Sequence, residues 1–202
     1  MIAVIDYGVG NLFSLVSSLK AVGAEAVVTS DEKEIRDADK ILLPGVGAFE
    51  DAKAKLSSLG LDKVIIDEVK RGKKILGICL GMQMLFEKSY EYGEYDGLGL
   101  LRGSVVSMEG KIPKELRIPH IGWNGLKIKK KHPIFKYTRD NDFVYFVHSY
   151  YASDCEQSLL ASCEYGSEIT AAVALDNVAG TQFHPEKSGE VGLSILKAFA
   201  EW

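Results

Sequence analysis

Short apolar runs alternate with helix-spaced apolar residues through the first half of the chain, and this alternation is the strongest constraint on its fold. Strands are predicted at Ile2–Asp6, Glu25–Thr29, Ile41–Leu43 and Lys74–Ile78. Helices are predicted over about 12–19, 49–56 and 62–70, with another starting at 82–87. Apolar strands that alternate with helices indicate a parallel sheet covered on both faces.

The second half of the chain favours shorter strands joined by turns. They are predicted at Val105–Met108, Leu126–Ile128, Phe143–His148, Leu159–Cys163, Ala171–Leu175 and Val178–Phe183. Asp176-Asn177 is a plausible hairpin turn, and a closing helix carries apolar residues from Val191 to Phe199. We therefore expect one α/β domain over 1–202, with a central, mostly parallel mixed sheet flanked by helices and added antiparallel strands in the second half.

Composition excludes several classes of function. The 202 residues are 47% apolar and 26% charged, as in globular proteins, and no apolar run approaches the roughly 18 residues of a membrane helix. A net charge of −4 with dispersed Lys and Arg argues against a nucleic-acid partner. The N-terminus lacks the basic flank of a signal peptide, so a cytoplasmic location is expected. The three cysteines form neither a C-x-x-C nor a zinc spacing, so no metal site is expected.

Gly77-Ile78-Cys79-Leu80-Gly81 is the sharpest local signal. It follows an apolar strand and precedes a helical pattern, which is the context of a nucleophile elbow. The glycines permit a tight turn that exposes the central side chain, and the helix start just after Cys79 favours a thiolate. The pentapeptide alone fits a small buried cysteine in a Gly-rich turn equally well.

A thiol nucleophile needs a base, and His184 stands out among the four histidines. Pro185 favours extended backbone at the residue before it, which predicts that His184 lies at a strand end. Glu186 can reach one ring nitrogen and leave the other for the thiol. The H-P-E tripeptide alone also fits a surface loop, but Cys79 in the same chain supplies the nucleophile that this base requires.

Pro44-Gly45-Val46-Gly47 follows the predicted strand Ile41–Leu43. Ligands of open α/β sheets bind at the carboxyl edge, where this segment would lie. Two glycines allow backbone N–H groups to point into a site as oxyanion donors. A plain Gly-rich turn is an equal alternative, whereas a phosphate loop is excluded because no G-K-[ST] follows.

In chain order, the motifs at Pro44–Gly47, Gly77–Gly81 and His184–Glu186 resemble those of class I glutamine amidotransferases, and the resemblance covers essentially the whole chain. It implies the three-layer α/β fold of that family and no cofactor. Further segments are similar to the glutaminase-subunit branch found in imidazole glycerol phosphate synthases, from histidine biosynthesis. These segments are Asp6–Leu12, Pro119–Asn124, Tyr145–Tyr150 and Gln182–Ser188.

The resemblance implies a role for individual residues. Cys79 would attack the side-chain amide of glutamine, with His184 as acid and base and Glu186 as the group that orients it. Backbone N–H groups of Val46 and Leu80 would bind the oxyanion. The residues implied in glutamine binding are Gly47, Gln83, Glu91, Ser149 and Tyr150. The residues implied at a partner interface are Asn11, Trp123, Tyr145 and Lys187.

Ammonia released by this chain would need an acceptor, and no second domain is predicted. The resemblance implies a heterodimer with a separate (βα)₈-barrel cyclase subunit, which uses ammonia to make imidazole glycerol phosphate and an aminoimidazole carboxamide ribotide. Three alternatives stay open. They are an amidotransferase subunit for anthranilate, purine or pyridoxal phosphate synthesis, a free-standing cysteine hydrolase, and a catalytically inactive binding module.

Overall fold

The computed structural model describes all 202 residues and contains thirteen strands and six α-helices. The strands are β1 Ile2–Ile5, β2 Ala26–Thr29, β3 Lys40–Leu43, β4 Lys74–Ile78, β5 Phe86–Ser89, β6 Tyr95–Asp96, β7 Leu101–Ser107, β8 His120–Ile128, β9 Phe143–His148, β10 Tyr150–Ser153, β11 Leu159–Glu164, β12 Glu168–Leu175 and β13 Val178–Thr181. The helices are α1 Leu12–Ala21, α2 Glu32–Asp37, α3 Phe49–Ser58, α4 Leu61–Lys70, α5 Leu80–Met84 and α6 Gly189–Glu201. None of these helices combines the length and the apolarity needed to cross a bilayer.

Nine strands form one mixed sheet in the order β2-β1-β3-β4-β13-β12-β11-β8-β9. The strands from β2 to β13 pair in parallel, whereas those from β13 to β9 pair antiparallel. A separate four-stranded sheet has the order β10-β7-β5-β6. Because β3, β4 and β13 are parallel neighbours, the segments that follow them emerge at one edge of the large sheet.

Side-chain alternation along the parallel strands divides the core between the two faces of the large sheet. One face buries Val4, Leu42 and Leu76 against apolar residues of α1 and α6. The other buries Ala3, Ile41 and Ile75 against α3 and α4. Fully burying a large apolar side chain contributes about 1.5–3 kcal/mol, so both helical layers are strongly held to the sheet. The expected three-layer α/β fold is therefore confirmed.

The chain after the elbow departs from the predicted secondary structure. The helix expected from Met82 to Glu87 is only α5, which ends at Met84, and strand β5 begins two residues later at Phe86. Phe86 is fully buried in the second core cluster, and β5 pairs in parallel with β7. Tertiary packing of Phe86 and the pairing with β7 therefore override a short apolar pattern that fits either a helix or a strand.

Strand β8 is also longer than predicted, because it begins at His120 rather than at Leu126. Its first part contains Gly122, which is unfavourable in strands, and its apolar residues Ile121 and Trp123 lie on the exposed face rather than the buried one. Pairing with β9 over the whole stretch from His120 to Gly125 holds it in place. This pairing lies next to the site described below.

Candidate active site

Three adjacent parallel strands bring the candidate catalytic segments together. Cys79 follows β4, the Pro44–Gly47 segment follows β3, and Gln182 follows β13. A cavity of about 360 Å³ opens at this edge of the sheet. It is lined by Val46, Gly47, Cys79, Leu80, Gln83, Glu91, Pro119, Val147, His148, Ser149, Tyr150, His184 and Lys187. All residues predicted for nucleophile, base, oxyanion and glutamine binding thus line one cavity.

The turn at Cys79 has the strained geometry of an elbow. Its φ of 53° and ψ of −111° lie on the left-handed side, which non-glycine residues rarely adopt. The Cys79 N–H donates to the Thr181 carbonyl at 2.7 Å, and the Cys79 carbonyl accepts from the Gln83 N–H at 3.1 Å. Strained residues persist only where the surrounding structure holds them, and here strand β13 and helix α5 do so.

The glycines of the elbow are required for close packing rather than for their own backbone angles. A Cβ on Gly81 would overlap the Leu43 carbonyl oxygen, and one on Gly77 would lie 2.7 Å from the Gly81 carbonyl oxygen. A Cβ on Gly45 would lie 2.8 Å from the Gly81 nitrogen. Helix α5 therefore packs directly against the end of β3, and the Pro44–Gly47 segment packs against the turn at Cys79.

His184 is held at the end of β13 in the extended conformation that Pro185 predicts, with φ −97° and ψ 102°. Its N–H donates to the Tyr145 carbonyl at 3.0 Å, and its carbonyl accepts from the Ser188 hydroxyl at 2.6 Å. A short 3₁₀ turn over Pro185–Lys187 brings Glu186 back to the ring, where Oε1 lies 2.8 Å from His184 Nδ1. Both side chains are buried. This contact fixes the ring and leaves Nε2 free for a second partner.

The environment of His184 favours its charged form. Burial alone would lower its pKa, but hydrogen bonds and negative charge from Cys79 and Glu186 outweigh burial and raise the pKa to about 10. The ring is therefore an imidazolium at neutral pH, and an imidazolium beside a cysteine stabilises the nucleophilic thiolate.

The other two cysteines are buried away from this cavity. Burial raises the pKa of Cys163 to about 12, and burial also raises the pKa of Cys155. Both thiols are therefore protonated and weakly nucleophilic at neutral pH. Cys79 is the cysteine that lies at the cavity with a cationic neighbour.

His148 also lines the cavity, although the sequence analysis gave it no role. Its Nδ1 lies 2.8 Å from the Tyr150 carbonyl, to which it donates, and its Nε2 lies 3.1 Å from Nδ1 of His120. Burial lowers the pKa of His148 to about 3, with the neighbouring His120 and His184 acting in the same direction. His148 is thus a neutral ring that holds the backbone of Tyr150.

The residues predicted to bind glutamine surround Cys79 with both donors and acceptors. Gln83 donates from Nε2 to the Tyr150 carbonyl and to Gln182 Oε1, each at 3.0 Å. Glu91 accepts the Phe49 N–H at 2.7 Å, while burial raises the pKa of this carboxyl and that hydrogen bond opposes the rise. Gly47 adopts φ 91°, a conformation that favours glycine.

The four residues predicted at a partner interface do not all lie at the cavity. Lys187 is exposed and lines the cavity. Trp123 is 51% exposed and packs edge-on against Tyr145, with ring centroids 5.9 Å apart. Asn11 is exposed and its side chain accepts from the Ser14 N–H at the start of α1. Of these four residues, only Lys187 lines the cavity.

Comparison with known proteins agrees with this geometry. Residues 3–201 match the family model described as glutamine amidotransferase class-I. The chain belongs to this family. The resemblance on which the sequence analysis relied is therefore confirmed, and the enzyme class with it.

Curated relatives match this chain over nearly its whole length. Relatives described as imidazole glycerol phosphate synthase subunit HisH are 50% identical in Oceanobacillus iheyensis and 52% identical in Caldanaerobacter subterraneus subsp. tengcongensis. Each match covers 100% of this chain and 98% of the relative. The relative of the same description from Aquifex aeolicus is 49% identical, with 97% of this chain and 94% of the relative covered.

Solved structures share the fold at lower identity. A structure described as a glutamine amidotransferase superposes with a TM-score of 0.76 at 18% identity, covering 98% of this chain and 100% of that one. A structure of PurLQS from Thermotoga maritima gives a TM-score of 0.74 at 20% identity, covering 99% and 97% of the two chains.

The contact between Glu186 and His184 generates a prediction for this amidotransferase. Glu186 contacts the ring of His184 and does not line the cavity. The kcat of Glu186→Gln should therefore be at least about 10-fold higher than that of His184→Ala, which removes the proposed base itself. Measurement of kcat for both variants tests this, with the exposed Glu190→Gln as a neutral control. Equal losses in the two variants, or a larger loss in Glu186→Gln, would contradict a purely orienting carboxylate.

Proposed function

We propose that this amidotransferase is the glutaminase subunit of an imidazole glycerol phosphate synthase. It hydrolyses glutamine to glutamate and ammonia through a thioester on Cys79, and residues 1–202 act as one glutaminase domain. The observation that carries the proposal is the buried pair of His184 and Glu186 beside the strained Cys79 in one cavity. The names of relatives near 50% identity support the choice of synthase over subunits of other pathways.

In the first step the Cys79 thiolate attacks the side-chain amide carbon of glutamine. The developing oxyanion is bound by the backbone N–H groups of Val46 and Leu80. The Leu80 N–H is at the first position of α5, where no carbonyl within the helix can accept it. Val46 lies beside this position, since Gly45 packs against the nitrogen of Gly81 and so holds the Pro44–Gly47 segment against the start of α5.

In the second step His184 donates its proton to the departing ammonia. The sulfur is then an uncharged thioester, so one of the two negative groups that raise the pKa of His184 is lost. The pKa of the ring falls, and His184 takes a proton from the water that attacks the thioester. Glu186 keeps the ring in place through both proton transfers.

The remaining cavity residues suit the amino-acid end of glutamine. Glu91 has one oxygen engaged by the Phe49 N–H and a second available for the α-ammonium. An ammonium there would offset the cost of burying this carboxylate. Backbone groups of Ser149 and Tyr150 would bind the α-carboxylate, and Gly47 leaves room for the side chain of the substrate.

A face near the cavity is suited to a protein partner. Large apolar side chains are exposed there on neighbouring strand β8, where Ile121 is 59% exposed and Trp123 is 51% exposed. The adjacent Tyr145 on β9 connects this face to the site, because its carbonyl accepts the His184 N–H. We propose that Asn11, Trp123, Tyr145 and Lys187 contact a (βα)₈-barrel cyclase subunit that receives the ammonia.

The cellular location follows from this assignment. A subunit of histidine biosynthesis with three free cysteines fits the reducing cytoplasm. Glutamine is the only small-molecule substrate assigned to this chain, and the ammonia acceptor binds to the partner.

Reconstitution with the cyclase subunit from the same organism tests the proposed function. Glutamate formation by the isolated chain should be low and should rise by about 10² or more when the partner and its substrate are present, a change comparable to gaining one oxyanion donor. Cys79→Ala should abolish the activity without preventing complex formation in gel filtration. Full activity of the isolated chain would instead favour a free-standing hydrolase.

The oxyanion role of Val46 yields a second test. Val46→Pro deletes the backbone donor and fixes φ near about −65°, so partner-stimulated turnover should fall by about 10²–10³. Val46→Ala keeps the N–H and should retain most of the activity, since the side chain is 42% exposed and packs little. Alkylation of Cys79 and gel filtration establish that the site and the complex are intact. Full stimulation of Val46→Pro by the partner would mean that Gly47 or another donor, and not Val46, binds the oxyanion.

A further inference from the structure

We propose that Gln182 is a positioning residue for the nucleophile, whose side-chain amide donates a hydrogen bond to the Cys79 thiolate in an orientation imposed by Gln83. The proposal rests on the proposed function, because it takes Cys79 as the nucleophile. No role for Gln182 follows from the sequence motif that contains it.

Gln182 is anchored directly beside the nucleophile. It follows strand β13, its backbone N–H donates to the Ala171 carbonyl at 2.8 Å, and its side chain is fully buried. Its Nε2 lies 3.7 Å from Cys79 Sγ, within the range of a hydrogen bond to the large sulfur atom. A buried amide with this placement requires a partner for its N–H group, and the sulfur supplies it.

The neighbouring amide determines which end of Gln182 faces the sulfur. Gln83 approaches the Tyr150 carbonyl at 3.0 Å, and a carbonyl only accepts, so Gln83 presents its NH₂ group there. The same nitrogen lies 3.0 Å from Gln182 Oε1, which therefore accepts its second hydrogen. The oxygen of Gln182 is thus occupied, and its NH₂ group faces Cys79. Donation runs in one direction, from Gln83 to Gln182 to the sulfur.

The other groups around the sulfur do not replace this donor. The Val147 carbonyl, 3.9 Å from Sγ, can only accept a hydrogen and so suits the protonated thiol. The hydroxyl of Tyr7 is committed to the Pro44 carbonyl at 2.7 Å. Of the titratable neighbours, His184 contributes positive charge paired with Glu186, and His148 is neutral. Gln182 therefore adds a neutral donor that stabilises the thiolate without competing for the proton that His184 carries.

The arrangement has a second consequence for glutamine binding. Both hydrogens of the Gln83 amide are used inside the protein, whereas its Oε1 has no partner within the chain. Gln83 therefore offers substrate an acceptor and not a donor. It would receive a hydrogen from the ammonium or amide group of glutamine rather than bind the carboxylate.

The test measures how fast iodoacetamide alkylates Cys79 at a series of pH values, by peptide mass spectrometry on the isolated chain. Gln182→Met keeps the length of the side chain but removes the N–H donor. The midpoint of the Cys79 profile should move up by about one pH unit and the rate at pH values below the midpoint should fall about 10-fold, as expected for losing a hydrogen bond to a charged group. The plateau rate at high pH should change by no more than about 3-fold, because access to the sulfur is unchanged and the nucleophilicity of a thiolate depends only weakly on its pKa.

Three further variants separate this role from a structural one. Thr181 precedes Gln182 in the chain, and Thr181→Val removes a buried hydroxyl that donates to the Phe183 carbonyl, so this variant should leave the midpoint unchanged. Gln182→Glu replaces the donor with a carboxylate and should move the midpoint further upward than Gln182→Met. Gln83→Leu frees the orientation of Gln182 and should give a smaller upward shift, which keeps the proposal testable if Gln182→Met does not fold.

An unchanged midpoint in folded Gln182→Met, or in Gln83→Leu if the former does not fold, would overturn the proposal. A shift of the same size in Thr181→Val would also overturn it, because the effect would then be general loosening of the strand end. Failure of the proposed function is distinguishable. Alkylation of wild-type Cys79 with no glutamine hydrolysis in the reconstituted complex would reject the glutaminase while leaving the contact with Gln182 intact.

Discussion

The close approach of helix α5 to the end of strand β3 is the constraint on which the rest of the site depends. Gly81 lies so near the Leu43 carbonyl that no side chain fits between them. This packing holds Cys79 at positive φ, a strain that typically costs about 1–3 kcal/mol. The same contact seats the Pro44–Gly47 segment against the start of α5, so nucleophile and candidate oxyanion donors are positioned together. The parallel order of β3, β4 and β13 makes this approach possible.

The charged groups of the site determine where the proton of His184 resides. Glu186 and Cys79 both stabilise the imidazolium of His184, and the loss of the thiolate on acylation weakens that stabilisation when the ring must become a base. His148, buried close by, is held neutral and does not compete for the proton. In the proposed mechanism His184 therefore serves in proton transfer, while His148 holds the backbone of Tyr150.

The parallel half of the fold, Cys79 and His184 could be predicted from the sequence because they depend on local patterns, whereas Gln83, Glu91, Ser149 and Tyr150 were expected at the site only through the resemblance to amidotransferases. Apolar strands, the Gly-flanked Cys79 and the proline after His184 each constrain nearby backbone. Strand β5 and the first part of β8 were missed, since Phe86 and Trp123 take their conformations from pairing with distant strands. The contacts of Gln182 and His148 were also beyond reach, because they join segments far apart in the chain.

The central claim is that Cys79 carries the acyl intermediate, and trapping that intermediate tests it most directly. The reconstituted complex is mixed with isotope-labelled glutamine, quenched in acid within the first turnovers and digested for peptide mass spectrometry. We expect a labelled glutamyl adduct on the peptide that contains Cys79. Glutamine hydrolysis without any adduct on Cys79, or with the adduct on Cys155 or Cys163, would contradict the account.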